Sequence, residues 1–270
     1  MTGNNAASFV GSIPENYDQG MGPVQFVPYA EDLANRLEAV KPRGAMLELA
    51  CGTGILTREL RARFPSPVRL VATDLNQPML DYARAKLADS TIEWKQADAM
   101  NLPFEKASFG AIACGFGVMF VPDKAVAFRE ARRVLEPGGV LAFNVWDGLE
   151  NNVSTRIAQE TICSFFGGHE PEFFRTPFGF NDRDLIRRLV SGEGFGQIEM
   201  TEVSIVSTSP SARAYANGVI RGTPASHEIQ QRGISLDEVV EAVTLALARE
   251  CGDNPCRSSR RALVVMARAV

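Results

Sequence analysis

The chain has 270 residues, 45% of them hydrophobic and 22% charged, with a formal charge of -4. That composition suits one large core, or one core with an appended lid. It excludes a strong cationic field for a nucleic-acid backbone or an anionic membrane. Arg257, Arg260 and Arg261 form a small basic cluster, which reads as a solvated loop before the last strand. The five cysteines, Cys51, Cys114, Cys163, Cys251 and Cys256, are odd in number and scattered, which suits a reduced compartment. Cys251 and Cys256 lack the nearby His or Cys pair that zinc requires. No basic region followed by an apolar run marks a secretory signal at the N-terminus. The longest uncharged stretch, residues 107 to 122, is too short and too rich in glycine for a membrane span. The expectation is a soluble cytoplasmic protein.

Residues 1–12 are small and polar and read as a mobile tail. Ala30, Leu33, Ala34 and Leu37 fall at helical spacing within residues 27–40, and Pro42 stops that helix. Residues 45–50 form a short apolar strand interrupted only by Glu48. A helix over 55–64 follows, with Leu56, Leu60 and Phe64 on one face, until Pro65-Ser66-Pro67 breaks it. The second strand is 68–73 and ends at Asp74. Asn76 is placed to cap the next helix and Pro78 suits its first turn. The third strand, 92–97, ends at Asp98. The fourth, 109–116, is apolar throughout, as a strand buried on both faces requires. Asp123 opens a helix with Ala127, Ala131, Val134 and Leu135 inward. Glu136-Pro137-Gly138-Gly139 then turns the chain into a fifth strand over 140–145.

This alternation of strand and helix predicts right-handed crossovers and an α/β fold with a parallel sheet. After Trp146 the rhythm changes. Helices are expected over 151–166 and 182–190, and an ordered aromatic loop over 167–180. A strand follows over 199–207. A helical stretch over 211–248, broken near Gly222-Thr223-Pro224, precedes a final strand over 262–269. No Pro-, Gly- or Ser-rich linker divides the chain.

The most informative segment is Glu48-Leu49-Ala50-Cys51-Gly52-Thr53-Gly54, with Asp74 twenty residues after Gly54 and Asp98 twenty-four after that. A small-residue loop leaving a strand and opening a helix lets a nucleoside cofactor approach bare backbone. A dinucleotide fingerprint wants a third glycine, and Ile55-Leu56-Thr57 supplies none. An acid at Glu48 is also awkward beside a pyrophosphate and suits a cofactor with an ammonium and a sulfonium. A charge inside an apolar strand needs a partner.

Residues 44 to about 147 resemble a class I S-adenosylmethionine-dependent methyltransferase, closest to the small-molecule branch related to ubiquinone and menaquinone biosynthesis methyltransferases. The resemblance is carried by Met46 through Gly54, by Asp74 with Met79-Leu80, by Asp98-Ala99 with Leu102-Pro103-Phe104, and by Arg133 through Gly139. Ala50 stands where glycine is commoner. The fold so implied is a doubly wound, seven-stranded Rossmann-like sheet of six parallel strands and one antiparallel strand. It would be a single methyltransferase domain over 1–270, with 150–180 and 208–250 as lid or acceptor-site additions.

The resemblance also implies roles. S-adenosylmethionine is the cofactor and S-adenosylhomocysteine its product. Ala50, Cys51, Gly52 and Gly54 line the loop, and Glu48 contacts the methionine portion; its other reading is a strand-end acid capping local amides. Asp74 accepts from both ribose hydroxyls, unless it merely caps a helix. Asp98 and the Ala99 amide read the adenine edge, between Leu75 and Met79, although Met79 also suits plain core packing. Cys114 offers backbone to the methionine end while its thiol stays structural. Tyr17 either bonds the methionine carboxylate or is a surface aromatic.

Methyl transfer by in-line displacement asks only for alignment and exclusion of water, plus a base where the acceptor carries a proton. The candidate bases are His169, His227, Asp147 and Tyr17. His169 is the preferred choice, against the reading of an exposed loop histidine. Phe165, Phe166, Phe173, Phe174, Phe178 and Phe180, with Phe26 and Phe116, either wall an apolar acceptor pocket or serve as lid packing. The expected partner is a small aromatic or quinone-like acceptor, with no nucleic acid and no metal. The rival functions are an NAD-type oxidoreductase and a non-catalytic S-adenosylmethionine-binding regulatory protein.

Overall fold

A computed structural model describes residue 9, residues 11–169 and residues 172–270. Most of the expected N-terminal tail lies outside the described residues. The chain divides into two compact units. The first unit takes the described residues up to Pro28, Asp147–Gly179 and Ser204–Arg261. The second takes Tyr29–Trp146, Phe180–Val203 and Ala262–Val270.

The second unit holds the alternating elements. These begin with α2 (Val27–Val40), preceded in the chain by α1 (Ile13–Gly20). Then come β1 (Met46–Glu48), α3 (Ile55–Arg63), β2 (Leu70–Asp74), α4 (Gln77–Leu87), β3 (Ile92–Gln96), β4 (Phe109–Gly115), α5 (Lys124–Val134) and β5 (Leu135–Trp146). The helix ends follow from local chemistry. The Asp123 carboxylate accepts from the Val126 amide at 3.1 Å and starts α5, whose Ala127, Phe128, Ala131 and Val134 are buried. At α4, Asn76 occupies the cap position but its side chain makes no capping bond.

After β5 come α6 (Val153–Phe165), α7 (Glu172–Phe178), α8 (Arg183–Gly192), β6 (Phe195–Ser209), α9 (Ala212–Arg221), α10 (Ala225–Gln231), α11 (Leu236–Cys251) and β7 (Cys256–Ala269). Helix α1 was not expected, β6 begins four residues earlier than expected, and two further elements depart from the sequence reading. Part of the expected aromatic loop is the helix α7. The final strand begins six residues earlier than expected, at Cys256, and so absorbs the basic cluster.

The sheet has seven strands in the order β3-β2-β1-β4-β5-β7-β6. β1 pairs in parallel with β2 and with β4, β2 with β3, and β4 with β5; β7 runs antiparallel to β5. Between the pairs Phe109↔Leu135 and Ala111↔Val140 the register shifts, which accommodates the Glu136–Gly139 segment as an irregularity in β5. β3 is an edge strand of five residues, with Glu93 and Lys95 exposed. Strand order reverses between β1 and β4. In a doubly wound sheet, ligands bind at the carboxyl ends of the strands at such a switch point.

The first unit is built mainly from α1, α6, α7, α9, α10 and α11. Among its largest buried side chains is Arg260, which is 1% exposed. Within β7 the residues alternate, with Ser258 and Arg260 buried and Arg257 and Ser259 exposed. The expected solvated loop is thus a strand, and period-two alternation turns Arg260 inward. Its Nε donates to Ser207 Oγ at 3.1 Å, Nη1 to Thr155 Oγ1 at 3.2 Å and Nη2 to Ser154 Oγ at 2.8 Å and to the Tyr215 hydroxyl. The Gln25 amide in turn donates to the Tyr215 hydroxyl at 3.2 Å. Arg261 pairs with buried Asp147 at 2.5 Å.

Candidate cofactor site

The loop between β1 and α3 is pinned from both neighbouring strands. The Leu49 amide donates to Ala113 O and the Cys51 amide to Thr73 O, each at 2.9 Å. The Thr73 hydroxyl donates to Glu48 O at 2.7 Å. Gly52 and Gly54 take φ of +55° and +78°. A Cβ on Gly52 would meet nothing within 4 Å, so the backbone there is open to close approach.

Ala50 also sits in the left-handed region, at φ +51°. That is a strained position for a residue with a Cβ, one that glycine would take without strain. The Ala50 methyl sets the identity of a distant residue. A Cβ on Gly117 would lie 2.4 Å from Ala50 Cβ and 2.8 Å from Cys114 Sγ. Residue 117, at the corner after β4, is therefore confined to glycine.

Glu48 is 1% exposed, and its Oε2 has no hydrogen-bond partner. Burial pushes its carboxyl up to about 8 against the lowering effect of the Thr57 hydroxyl, and the charge of Asp74 adds to the rise. Thr53 Oγ1 and Asn144 Nδ2 are likewise buried without a partner. Asp74 is 6% exposed. Its Oδ2 accepts from the Gly52 amide at 2.9 Å and its Oδ1 from the Asn76 amide at 2.8 Å. Burial raises its pKa and these amides partly restore it. Asp74 thus holds the turn before α4 at the Asn76 amide, and it also ties down the glycine loop. A carboxylate offers about four acceptor positions, so two amides leave capacity for further donors.

The ends of β2 and β3 are joined. The Ala97 amide donates to Asp74 O at 3.0 Å and the Gln96 side chain to Leu75 O at 2.8 Å. This brings Asp98 and Ala99 to the same end of the sheet as Asp74 and Leu75. Asp98 Oδ1 accepts from the Met100 amide at 2.8 Å, and both Asp98 and Ala99 are half-buried. Leu75 is 55% exposed, unusual for a large apolar residue, whereas Met79 is buried in α4. Cys51 and Cys114 are buried; burial pushes the Cys114 thiol up to about 12 and the Cys51 thiol well above its usual value. Neither is disposed to react as a thiolate.

The structure therefore gathers Glu48, Ala50, Cys51, Gly52, Gly54, Asp74, Leu75, Asp98, Ala99 and Cys114 around the carboxyl ends of β1 to β4. Tyr17 and His169 belong to the first unit. There, half-buried Tyr17 stacks on Phe26 at 4.8 Å and meets Phe9 edge-on at 5.9 Å. His169 is exposed on the turn after α6, and His227 is half-buried on α10. Of the aromatic candidates, Phe166, Phe173, Phe174, Phe180 and Phe116 are buried and Phe26, Phe165 and Phe178 half-buried.

Sequence reading missed Asn144, the one polar residue in the run 140–146 of β5. That interruption was the available signal. Among the described residues, no group of three or more His, Cys, Asp or Glu could hold a metal ion, and no helix is long and apolar enough to cross a membrane.

Residues 47–143 match a family model described as a methyltransferase domain. A demethylmenaquinone methyltransferase of Lactococcus lactis subsp. lactis is 36% identical over 136 residues, 47% of this chain and 53% of that protein. The chain thus matches about half the length of that relative. A demethylmenaquinone methyltransferase of Staphylococcus carnosus is 29% identical over 213 residues, 70% of this chain and 84% of that one. Among solved structures, the YcgJ protein of Bacillus subtilis has a TM-score of 0.58 at 15% identity, covering 90% of this chain and 98% of that one. Geranyl diphosphate C-methyltransferase from Streptomyces coelicolor A3(2), solved with S-adenosyl-L-homocysteine, has a TM-score of 0.51 at 18% identity, covering 90% and 76%. These structural likenesses bear on the fold alone.

Proposed function

We propose that this chain, whose residues 47–143 form a domain of the S-adenosylmethionine-dependent methyltransferase family, transfers a methyl group to a small aromatic or quinone-like acceptor. The observation that carries the reading is Glu48: a fully buried carboxyl with one unpartnered oxygen, beside a glycine loop whose backbone is open at Gly52. A buried carboxyl left so is costly unless a cationic group meets it. The ammonium of S-adenosylmethionine has the required chemistry.

The bound cofactor supplies a methyl group on a positively charged sulfur, already a strong electrophile. The chain's own residues bind, orient and exclude water. We assign Glu48 and the loop Ala50, Cys51, Gly52 and Gly54 to the methionine portion, with the Cys114 backbone, and Tyr17 to its carboxylate. Asp74 is assigned to the ribose hydroxyls, Asp98 and the Ala99 amide to the adenine edge, and Leu75 and Met79 to the faces of the ring. The exposed face of Leu75 supports its part in this, since an apolar side chain gains by being covered. Segments 150–180 and 208–250 are assigned to the acceptor, within one methyltransferase domain. Where the acceptor must lose a proton, His169 is the assigned base. The names of the curated relatives support a quinone-like acceptor. The five free thiols support a reducing, cytoplasmic setting.

Calorimetric titration with S-adenosylhomocysteine tests the cofactor assignment. The unmodified chain binds it, and Asp74→Ala weakens binding on the order of a hundredfold, as loss of charge-assisted hydrogen bonds implies. Equal affinity in the two proteins would remove Asp74 from the site. Retention of NAD in preference to S-adenosylhomocysteine would overturn the reading as a whole.

A further inference from the structure

Asn144 is the one polar residue in an otherwise apolar, buried stretch of β5. Its neighbours in β5, from Val140 to Trp146, are all apolar, and its own side chain is 0% exposed. Burying an amide is unfavourable unless both its ends are bonded. Here Nδ2 has no partner, so only Oδ1 explains the residue. That oxygen accepts from the Phe116 amide at 3.0 Å, and the Asn144 backbone carbonyl receives the same N–H at 3.2 Å.

Phe116 requires such a hold. Its φ is +55°, a region that bulky side chains avoid. The next residue, Gly117, is pressed against Ala50 and Cys114, so the corner cannot relax by moving toward the glycine loop. The Phe116 ring stacks on Trp146 at 3.9 Å, and Tyr29 meets both rings edge-on, at 5.5 and 5.4 Å. The strained corner after β4 and the strained loop after β1 therefore press on each other, and Asn144 fastens one side.

We propose that Asn144 is a positioning residue of the cofactor site. Its Oδ1 holds Phe116 in the left-handed conformation, and this keeps the Cys114–Gly117 corner closed against Ala50. The inference rests on the reading of the loop as a cofactor site. It concerns a residue that touches no assigned part of the cofactor and acts through Phe116.

The test is S-adenosylhomocysteine titration of the full chain. Asn144→Ala weakens binding about tenfold, while Asn144→Asp, which keeps the acceptor oxygen, stays within about threefold of the parent. Phe116→Ala weakens binding to a similar degree. The double variant Asn144→Ala with Phe116→Ala is no weaker than the worse single one, because both remove the same support. Trp94 and Trp146 are the two tryptophans. In a Trp94→Phe background, Asn144→Ala therefore also shifts Trp146 emission, and Asn144→Asp does not.

Unchanged affinity in Asn144→Ala, equal losses in the Ala and Asp variants, or additive losses in the double variant would each overturn the proposal. If Asn144→Ala does not fold, Phe116→Ala decides alone, and parental affinity in it overturns the proposal. Failure of the parent to bind S-adenosylhomocysteine is a different result: it removes the cofactor reading, while Trp146 emission still tests the link from Asn144 to Phe116.

Discussion

Two buried polar groupings, one in each unit, are built on opposite principles. In the first unit every nitrogen of the Arg260 guanidinium donates to a hydroxyl, drawn from Ser154, Thr155, Ser207 and Tyr215. At the carboxyl end of β1, by contrast, Glu48 and Thr53 each keep a buried atom without a partner. A buried polar network that is fully satisfied fixes one packing arrangement; one left partly unsatisfied loses stability that a ligand restores. The contrast sets a bonded hub in one unit against an open carboxyl and hydroxyl beside a glycine loop in the other.

The largest expected effect comes from Glu48. Its folded carboxyl titrates near 8 against an ordinary value of 4.5. Between those values the folded chain keeps a proton that the unfolded chain has released, so stability falls as pH rises. The contribution is complete below about pH 4.5 and lost by about pH 8. Asp74, also raised by burial, acts in the same direction. Glu48→Gln removes a swing of roughly 5 kcal/mol across this window, measured by urea unfolding at a series of pH values. If the pH profile of the variant matches that of the parent, Glu48 does not titrate as described and the contrast with Arg260 fails.

Next in size is Arg260→Met, which strips four hydroxyls of their common donor. Unfolding free energy falls by roughly 3 kcal/mol, with affinity for S-adenosylhomocysteine unchanged where the variant remains folded. A loss below about 1 kcal/mol would show that the hub is not structural. The smallest effect is at Ala50. Replacement by glycine relieves the left-handed strain and raises stability by about 0.5–1 kcal/mol. It also removes the methyl that excludes a side chain at 117. Gly117→Ala is therefore milder in the Ala50→Gly background than alone, which a thermal-melt cycle of the four proteins reads directly. Strict additivity would mean that the two corners do not press on each other.

The alternating region was legible because its signals are local. Pro42 and the apolar spacing predicted α2 at its observed bounds, and Asp123 capped α5 as its side chain predicts. Asp74 ends β2 as expected, whereas β3 stops at Gln96, two residues before Asp98. What escaped depends on contacts distant in sequence. Helix α1 packs by close backbone approach: a Cβ on Gly20 would lie 2.5 Å from Gly218 Cα. A helix seated on glycine leaves little apolar pattern to read. Arg260 escaped because a run of Arg and Ser looks solvated until Ser207, Thr155 and Tyr215 are known to surround it. Asn144 escaped because its purpose is the backbone of Phe116, whose left-handed conformation no propensity predicts.

The edge strand β3 has a consequence for assembly. An unpaired strand edge is a template for a strand from another molecule. β3 offers only five residues, Ile92–Gln96, and the exposed Glu93 and Lys95 would have to be accommodated in any extension. Glu93 is held by both arms of Arg69, at 2.9 and 2.8 Å, and the Lys95 ammonium lies 5.2 Å over the Phe104 ring. These charges are fastened in place, so an incoming strand meets a fixed ionic border. The edge preceding Asp98 and Ala99 is thereby protected against strand-to-strand aggregation, and the sheet keeps this outer strand short without becoming adhesive.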